Sequence, residues 1–271
     1  MNEVESMTTP VVFIHGLWIH SVSWLPWQQL FGERGYDTLA PNWPGDGTTV
    51  SETRADPGRV LDIGVEDVTD AYARVIEGLP DAPIVVGHSF GGLVAQKLLD
   101  RGLAAAAVGI SPAPIKGVRA VPLSLLRSSF PVLKSPANKR RTVALTENQF
   151  AYSFGNAISR GESDELFRDL TIPSPGRPLF EASTANLRRT SPTGVDTRRG
   201  DRGPLLLIAA GQDHTVPAVV VQGAHKLYVR GGAQVDLRTY DDRGHSAPFD
   251  RGWRDLAEDT LSWLEVQGLK P

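Results

Sequence analysis

The sequence predicts an α/β fold, a mostly parallel sheet doubly wound by helices and interrupted by one long insertion. Three observations predict it. Short apolar runs rich in Val, Ile and Leu alternate with helical patterns over the two ends of the chain. The middle breaks that rhythm, being rich in Pro and Ser and poor in β-branched runs. Charge divides at the same places: residues 112–203 hold 15 Lys/Arg against 8 Asp/Glu, a net +7, which leaves −10 for the rest of a chain whose total is −3.

Taken in order, residues 10–15 (PVVFIH) form a β-branched apolar run followed by Gly16, the mark of a strand buried on both faces. A helical pattern follows at 24–34 and another at 63–78, then a second buried strand at 83–86 (PIVV) and a helix at 91–101. Residues 105–110 and 204–210 (PLLLIAA) are two further strands, separated by the insertion. A helix at 218–229, a strand at 235–240 (VDLRTY) and a helix at 251–266 complete the pattern. The alternation in VDLRTY suits a more exposed strand near an edge. Strands that alternate with helices pair in parallel through right-handed crossovers, and ligands of such sheets sit at the carboxyl ends of the strands. Residues 1–111 and 204–271 are therefore expected to form one body, with 112–203 inserted into it. A chain of 271 residues with 41% hydrophobic content suffices for that core.

Composition also excludes. With no cysteine there is no disulfide framework, thiolate nucleophile or Cys-ligated metal. No apolar run approaches the roughly 20 residues of a membrane span. The opening MNEVESMTTP is acidic and lacks the basic-then-apolar order of a secretion signal, so a cytoplasmic location is expected. No G-x-G-x-x-G follows the first strand and no Gly-Lys-Ser/Thr occurs, which removes dinucleotide and P-loop readings. Nucleic acid is not an expected partner, since only the insertion is basic and no recognition motif accompanies it. Oligomeric state is left open.

The chemistry is concentrated after PIVV, in Gly87-His88-Ser89-Phe90-Gly91-Gly92. A G-x-S-x-G is common by chance; between a buried strand and a helix it places serine on a sharp, strained turn with Oγ above the sheet. The bland alternative is a Gly-rich turn with serine as helix cap. A serine hydroxyl needs a base, oriented in turn by a third group. Of six histidines, His245 follows the last strand and falls at the edge where Ser89 lies, whereas His225 sits in a helical pattern and His88 adjoins the serine. Asp213, directly after PLLLIAA, suits the orienting carboxylate; Asp241 and Asp242 are rivals only a few residues from His245. The expected triad is Ser89, Asp213 and His245. An oxyanion needs two backbone donors, expected from Phe90 at the start of a helix and from Leu17, or in another register Trp18, after the first strand. His15 is expected to hold that loop by hydrogen bonds.

Together, HGLW at 15–18, PNWPGDG at 41–47, GHSFGG at 87–92, GQDHTVP at 211–217 and RGH at 243–245 resemble the α/β-hydrolase superfamily, in its esterase and lipase-like branch. Where the family often carries Asp at the start of the second motif this chain has Asn42, a departure that touches loop stability rather than chemistry. The resemblance implies an α/β-hydrolase fold, with residues 112–203 as a helical cap after the sixth strand. It implies a serine esterase acting on a small apolar, acyl or aryl substrate through an acyl-enzyme, with no metal or organic cofactor. Trp18, His20, Trp24, Tyr152 and Phe154 are the expected pocket residues, with Phe150 beside them. A carbon–carbon bond hydrolase or cofactor-free perhydrolase would use the same triad, and a small-molecule receptor could retain it. Serine at 89 argues against the Asp-nucleophile dehalogenases and epoxide hydrolases of this fold.

Overall fold

The computed structural model describes residues 9–271; residues 1–8, on which the expected lack of a secretion signal mostly rests, lie outside the described residues. In chain order the body begins with β1 (Pro10–Ile14), α1 (Leu25–Glu33), β2 (Asp37–Leu39), α2 (Val50–Ala55), α3 (Val65–Glu77), β3 (Ile84–His88), α4 (Phe90–Asp100) and β4 (Ala106–Ile110). The insertion contributes α5 (Leu123–Leu133), β5 (Thr142–Val143), α6 (Glu147–Ser153), α7 (Arg160–Leu170), β6 (Ser174–Pro175) and α8 (Arg177–Ser183). The body resumes with β7 (Leu205–Ala210), α9 (Ala218–Gly231), β8 (Val235–Tyr240) and α10 (Trp253–Val266). Among the described residues no helix is long and apolar enough to cross a membrane.

The main sheet has six strands, all parallel, in the order β2-β1-β3-β4-β7-β8. Successive side chains on a strand point to opposite faces, and the buried residues sort accordingly. Val11, Phe13, Ile84, Val86, Leu206 and Ile208 pack into a core shared with α1 and α10. Their neighbours Val12, Ile14, Val85, Leu205 and Leu207 pack into the opposite core, with α3, α4 and α9. Both faces of each central strand are thus apolar, which is why the sequence shows continuous rather than alternating runs. β8 lies at the sheet edge and is only half-buried, as its alternation predicts. The helices follow from periodicity too: Val65, Val68, Thr69, Tyr72, Ala73 and Ile76 of α3 are buried at helical spacing, and the Gly64 N–H donates to Asp67 Oδ2 at 2.8 Å to close its first turn.

Two body elements were not legible. β2 is three residues at the other edge and α2 is six, each too short to show a period. The insertion also departs from an all-helical expectation, since β5 and β6 pair as an antiparallel ribbon, and it follows the fourth strand of the sheet. Val132, Leu145, Phe150 and Phe154 of the insertion join the core on the α3/α4/α9 side.

The strand order locates the crevice. From β1 the chain steps outward to β2, then returns to place β3 on the opposite side of β1. Outside the carboxyl ends of two strands whose connections diverge is where such sheets leave room for a ligand. The loop after β1 and the turn after β3 meet there.

Candidate active site

Ser89 forms the turn between β3 and α4 with φ 54° and ψ −120°. A non-glycine residue in such a conformation costs about 1–3 kcal/mol and persists only where its surroundings enforce it. Here they do. The Ser89 N–H donates to the Ile110 carbonyl at 3.0 Å, and the Ser89 carbonyl accepts from the Ala113 N–H at 2.9 Å. The flanking glycines are required by clearance: a Cβ on Gly87 would lie 2.1 Å from the Gly91 carbonyl oxygen, and one on Gly91 would lie 2.1 Å from that of Ile14.

The loop after β1 packs directly on this turn. A Cβ at Gly16 would come within 2.8 Å of Ser89 Cβ and 3.4 Å of its Oγ, so only glycine lets the two backbones approach. Among the described residues neither the Leu17 nor the Phe90 N–H donates to another protein group, and Phe90 is the first residue of α4, at the positive end of its dipole. The Trp18 N–H is committed elsewhere, donating to Ser174 Oγ at 2.6 Å, which removes it as an alternative to Leu17. His15 holds the loop as expected. Its Nδ1–H donates to the Gly16 carbonyl at 3.0 Å, and its Nε2 accepts from the Trp43 N–H at 3.2 Å. Asp46 Oδ2 lies 3.5 Å from that same Nε2, but the nitrogen's lone pair is taken by Trp43, so this is not an ion pair. Burial pushes His15 down to about 3 and Asp46 up to about 7, consistent with both being uncharged in mildly acidic solution.

Asp213 and His245 are both fully buried at the side chain, and Asp213 Oδ2 lies 2.6 Å from His245 Nδ1. The other carboxylate oxygen accepts the N–H groups of Thr215 and Val216, each at 2.7 Å. With the carboxylate accepting at Nδ1, the imidazole proton sits there and Nε2 keeps its lone pair. His245 Nε2 has no hydrogen-bond partner among the described residues, Ser89 Oγ included. Serine–histidine bonds in substrate-free sites are often long and tighten with substrate bound. His245 lies beside the serine turn through His88, whose ring packs against it at a tilt of 49° with centroids 4.5 Å apart. Burial, and secondarily the neighbouring His245, hold His88 well below the usual histidine range, so it stays neutral. Asp241 and Asp242 are exposed and away from this pair.

An apolar cavity of about 210 Å³ opens above Ser89, lined by Trp18, Phe90, Ile115, Leu125, Leu179 and Val216 among others. A larger cleft of about 410 Å³ lies on the far side of Trp18, between Arg54 and Phe167, and does not reach Ser89. Of the expected pocket residues Trp18 alone lines the cavity. Phe154 and its neighbour Phe150 are core: Phe154 packs on the His245 ring at 4.8 Å and stacks on Phe150 at 5.0 Å. Phe154 is thus one of four corrected expectations, with His20, Trp24 and Tyr152. His20 is buried as a loop fastener, its Nε2 on the Gly47 carbonyl at 3.1 Å and its Nδ1 accepting from Val22 N–H. Trp24 stacks on Phe13 in the α1/α10 core. Tyr152 turns outward between Arg127 and His214. Asn42 keeps the 42–47 loop closed by donating to the Gly47 carbonyl at 2.6 Å and accepting from Ser21 Oγ.

Several supporting residues left no signal in the sequence. The Trp18 ring N–H donates to the Val143 carbonyl at 2.9 Å and the Trp18 carbonyl accepts from Ile172, so the ribbon region of the insertion clasps the loop after β1. Behind His245, Ser246 Oγ donates to Asp250, and Arg243 pairs with Asp255 at 2.6 Å. Trp27 Nε1 donates to the Pro248 carbonyl at 2.7 Å, tying that loop to α1. The partners of Trp18 and Trp27 lie 125 and 221 residues away in the chain, beyond the reach of any local pattern. Among the described residues no group of three or more His, Asp or Glu side chains is arranged to hold a metal ion.

Comparison with known proteins places this geometry in a family. The model of the alpha/beta hydrolase family matches residues 11–259. The chain belongs to the alpha/beta hydrolase family. No curated protein sequence matches it significantly. Its fold is similar to that of a methylesterase from Arabidopsis, with a TM-score of 0.66 at 15% identity, covering 96% of this chain and 100% of that one. It is similar as well to a monoacylglycerol lipase from Paleococcus ferrophilus, with a TM-score of 0.65 at 20% identity and 96% of each chain covered. An extracellular alpha/beta-hydrolase from Paenibacillus has a TM-score of 0.66 at 19% identity, covering 94% of this chain and 98% of that one. At such identities the hydrolase fold is what the likeness shows.

Proposed function

We propose that this alpha/beta hydrolase is a serine esterase that cleaves a small, largely apolar carboxylic ester through an acyl-enzyme. The observation that carries the reading is Ser89 at φ 54° on the turn between β3 and α4, beside the buried Asp213–His245 pair. The apolar lining of the cavity and the methylesterase and lipase among the similar structures support the substrate class.

In this mechanism His245 Nε2 accepts the Ser89 proton as Oγ attacks the ester carbonyl. Asp213 holds the imidazole in the tautomer that exposes Nε2 and stabilises the imidazolium that forms. Charge developing on the carbonyl oxygen is met by the N–H groups of Leu17 and Phe90, neither of which has an acceptor among the described residues. The leaving alcohol takes the proton from His245. Water then attacks the acyl-enzyme by the same route, and Ser89 recovers its proton. Residues 112–203 act as the cap, since Leu125, Leu179 and neighbouring insertion residues roof the cavity.

Turnover of p-nitrophenyl esters of increasing acyl length, together with fluorophosphonate labelling, tests this reading. Short and medium acyl chains are expected to turn over, with labelling at Ser89. Ser89→Ala should keep the fold and lose turnover by about six orders of magnitude, the scale seen when a triad nucleophile is removed. Wild-type rates equal to the uncatalysed reaction for every ester would sink the proposal.

A further inference from the structure

The insertion presents an apolar face that nothing among the described residues covers. On α5, Leu123, Leu126 and Phe130 recur at helical spacing on one side and are 84%, 46% and 63% exposed, while Ser128, Ser129 and Val132 are buried on the other. Val121, just before the helix, is 60% exposed. Val121 and Leu126 also line the cavity above Ser89, so the exposed face runs unbroken into the cavity mouth. Leu187, 85% exposed, follows Asn186, another lining residue.

The same region is cationic without compensation. No Asp or Glu occurs between Arg101 and Glu147, whereas Lys116, Arg119, Arg127, Lys134, Lys139, Arg140 and Arg141 do. Arg127 and Lys134 stand four residues after Leu123 and Phe130 and share their side of α5. The ion pairs of the insertion use Arg160, Arg168, Arg177 and Arg199 instead, which leaves the α5 cations without a carboxylate partner among the described residues, Arg127 resting 3.9 Å from the centre of the Tyr152 ring. An apolar stripe flanked by cations whose charge no carboxylate neutralises matches a surface of opposite charge with an apolar interior. A second copy is a poor occupant, because docking two such faces would bring Arg127 and Lys134 of both chains together.

We propose that the exposed face of α5 docks on an anionic lipid surface, with Leu123 and Phe130 entering the headgroup layer and Arg127 and Lys134 contacting lipid phosphates. The cavity mouth then faces the lipid, from which an acyl chain can pass into the cavity without crossing water. Docking stands apart from the catalytic reading; only the delivery of substrate rests on it.

Co-sedimentation of the full chain with vesicles tests the docking without using turnover. The protein is expected to pellet with vesicles of phosphatidylcholine and phosphatidylglycerol in equal parts, to remain soluble with phosphatidylcholine alone, and to be released by high salt. Arg127→Gln with Lys134→Gln should weaken partitioning about 25-fold, at about fivefold per surface cation. Leu123→Ser with Phe130→Ser should abolish it. Both pairs of variants should keep the thermal midpoint and the turnover of a short soluble ester, since none of these residues lines the cavity. Three results would overturn the proposal: no pelleting with the anionic vesicles, equal pelleting with both compositions, or binding retained by both variants. Sedimentation as a dimer that Leu123→Ser with Phe130→Ser dissociates would assign the face to a second copy instead.

Discussion

The Asp213 carboxylate accepts at both ends, with two loop N–H groups on Oδ1 and His245 on Oδ2. One oxygen thereby fixes the angle at which the other meets the imidazole. Asp213→Asn should leave packing nearly unchanged but present an amide to Nδ1, favouring the tautomer with the proton on Nε2. Turnover should fall by about four orders of magnitude with KM little changed, as measured by steady-state kinetics on a p-nitrophenyl ester. Ser174 makes a comparable contribution through the backbone. Its Oγ takes the Trp18 N–H, and Trp18 is a non-glycine residue at φ 66° that such a bond helps to hold. Ser174→Ala should cost about 1–3 kcal/mol of stability from an unsatisfied buried donor. It should also lower kcat more than it raises KM, because the adjoining Leu17 N–H loses its fixed aim; a KM effect alone would limit Ser174 to packing. The candidate residues Ser89, Asp213 and His245 stand out in the sequence because each falls next to a strand end, and strand ends are visible as apolar runs. Ser174 was not, being 156 residues from its partner. The aromatics at 24 and 152 misled for a related reason, since nearness in sequence to a site loop says nothing about which way a ring turns.

Among the elements, the turn between β3 and α4 depends on how closely α4 approaches β1. Gly91 sits where the helix meets the Ile14 carbonyl, and a methyl group there would stand 2.1 Å from that oxygen. Gly91→Ala must push α4 off the sheet. A loss of about 3 kcal/mol or more is expected, at the upper end of overpacking costs, together with loss of fluorophosphonate labelling at Ser89. Urea unfolding and labelling of the same preparation check it; an unchanged midpoint would mean that the helix can shift freely. The central strands and long helices were legible because burial on two faces writes a continuous apolar run and burial on one face writes a helical period. β2 has three residues and the ribbon strands two each, too few for any period, and they exist through pairing with distant partners. The ribbon matters beyond its size, because Val143 on β5 and Ser174 on β6 are the groups that grip Trp18.

Across the whole molecule, stability should carry the imprint of buried groups that titrate in opposite senses, Asp46 against His15 and, in the same sense as His15, His88. Burial holds Asp46 up at about 7, so between about pH 4 and 7 the unfolded chain has released a proton that the folded one keeps, and stability falls as pH rises. His15 is held down at about 3, so between about pH 3 and 6.5 the unfolded chain binds a proton that the folded one refuses, and stability falls as pH drops. Over the shared window from about pH 4 to 6.5 the two slopes offset, each being at most about 1.4 kcal/mol per pH unit. Asp46→Asn removes one of them. The variant's unfolding free energy, measured in urea at about pH 4.5 and pH 6.5, should rise relative to wild type by up to about 3 kcal/mol across that interval. His15→Gln should slope the other way. Parallel profiles for Asp46→Asn and wild type would mean that the Asp46 carboxyl ionises in the folded protein as it does in water. The turn at 42–47 would then be hydrated rather than closed over the His15 ring, and the loop that presents the Leu17 N–H would lose the buried wall behind it.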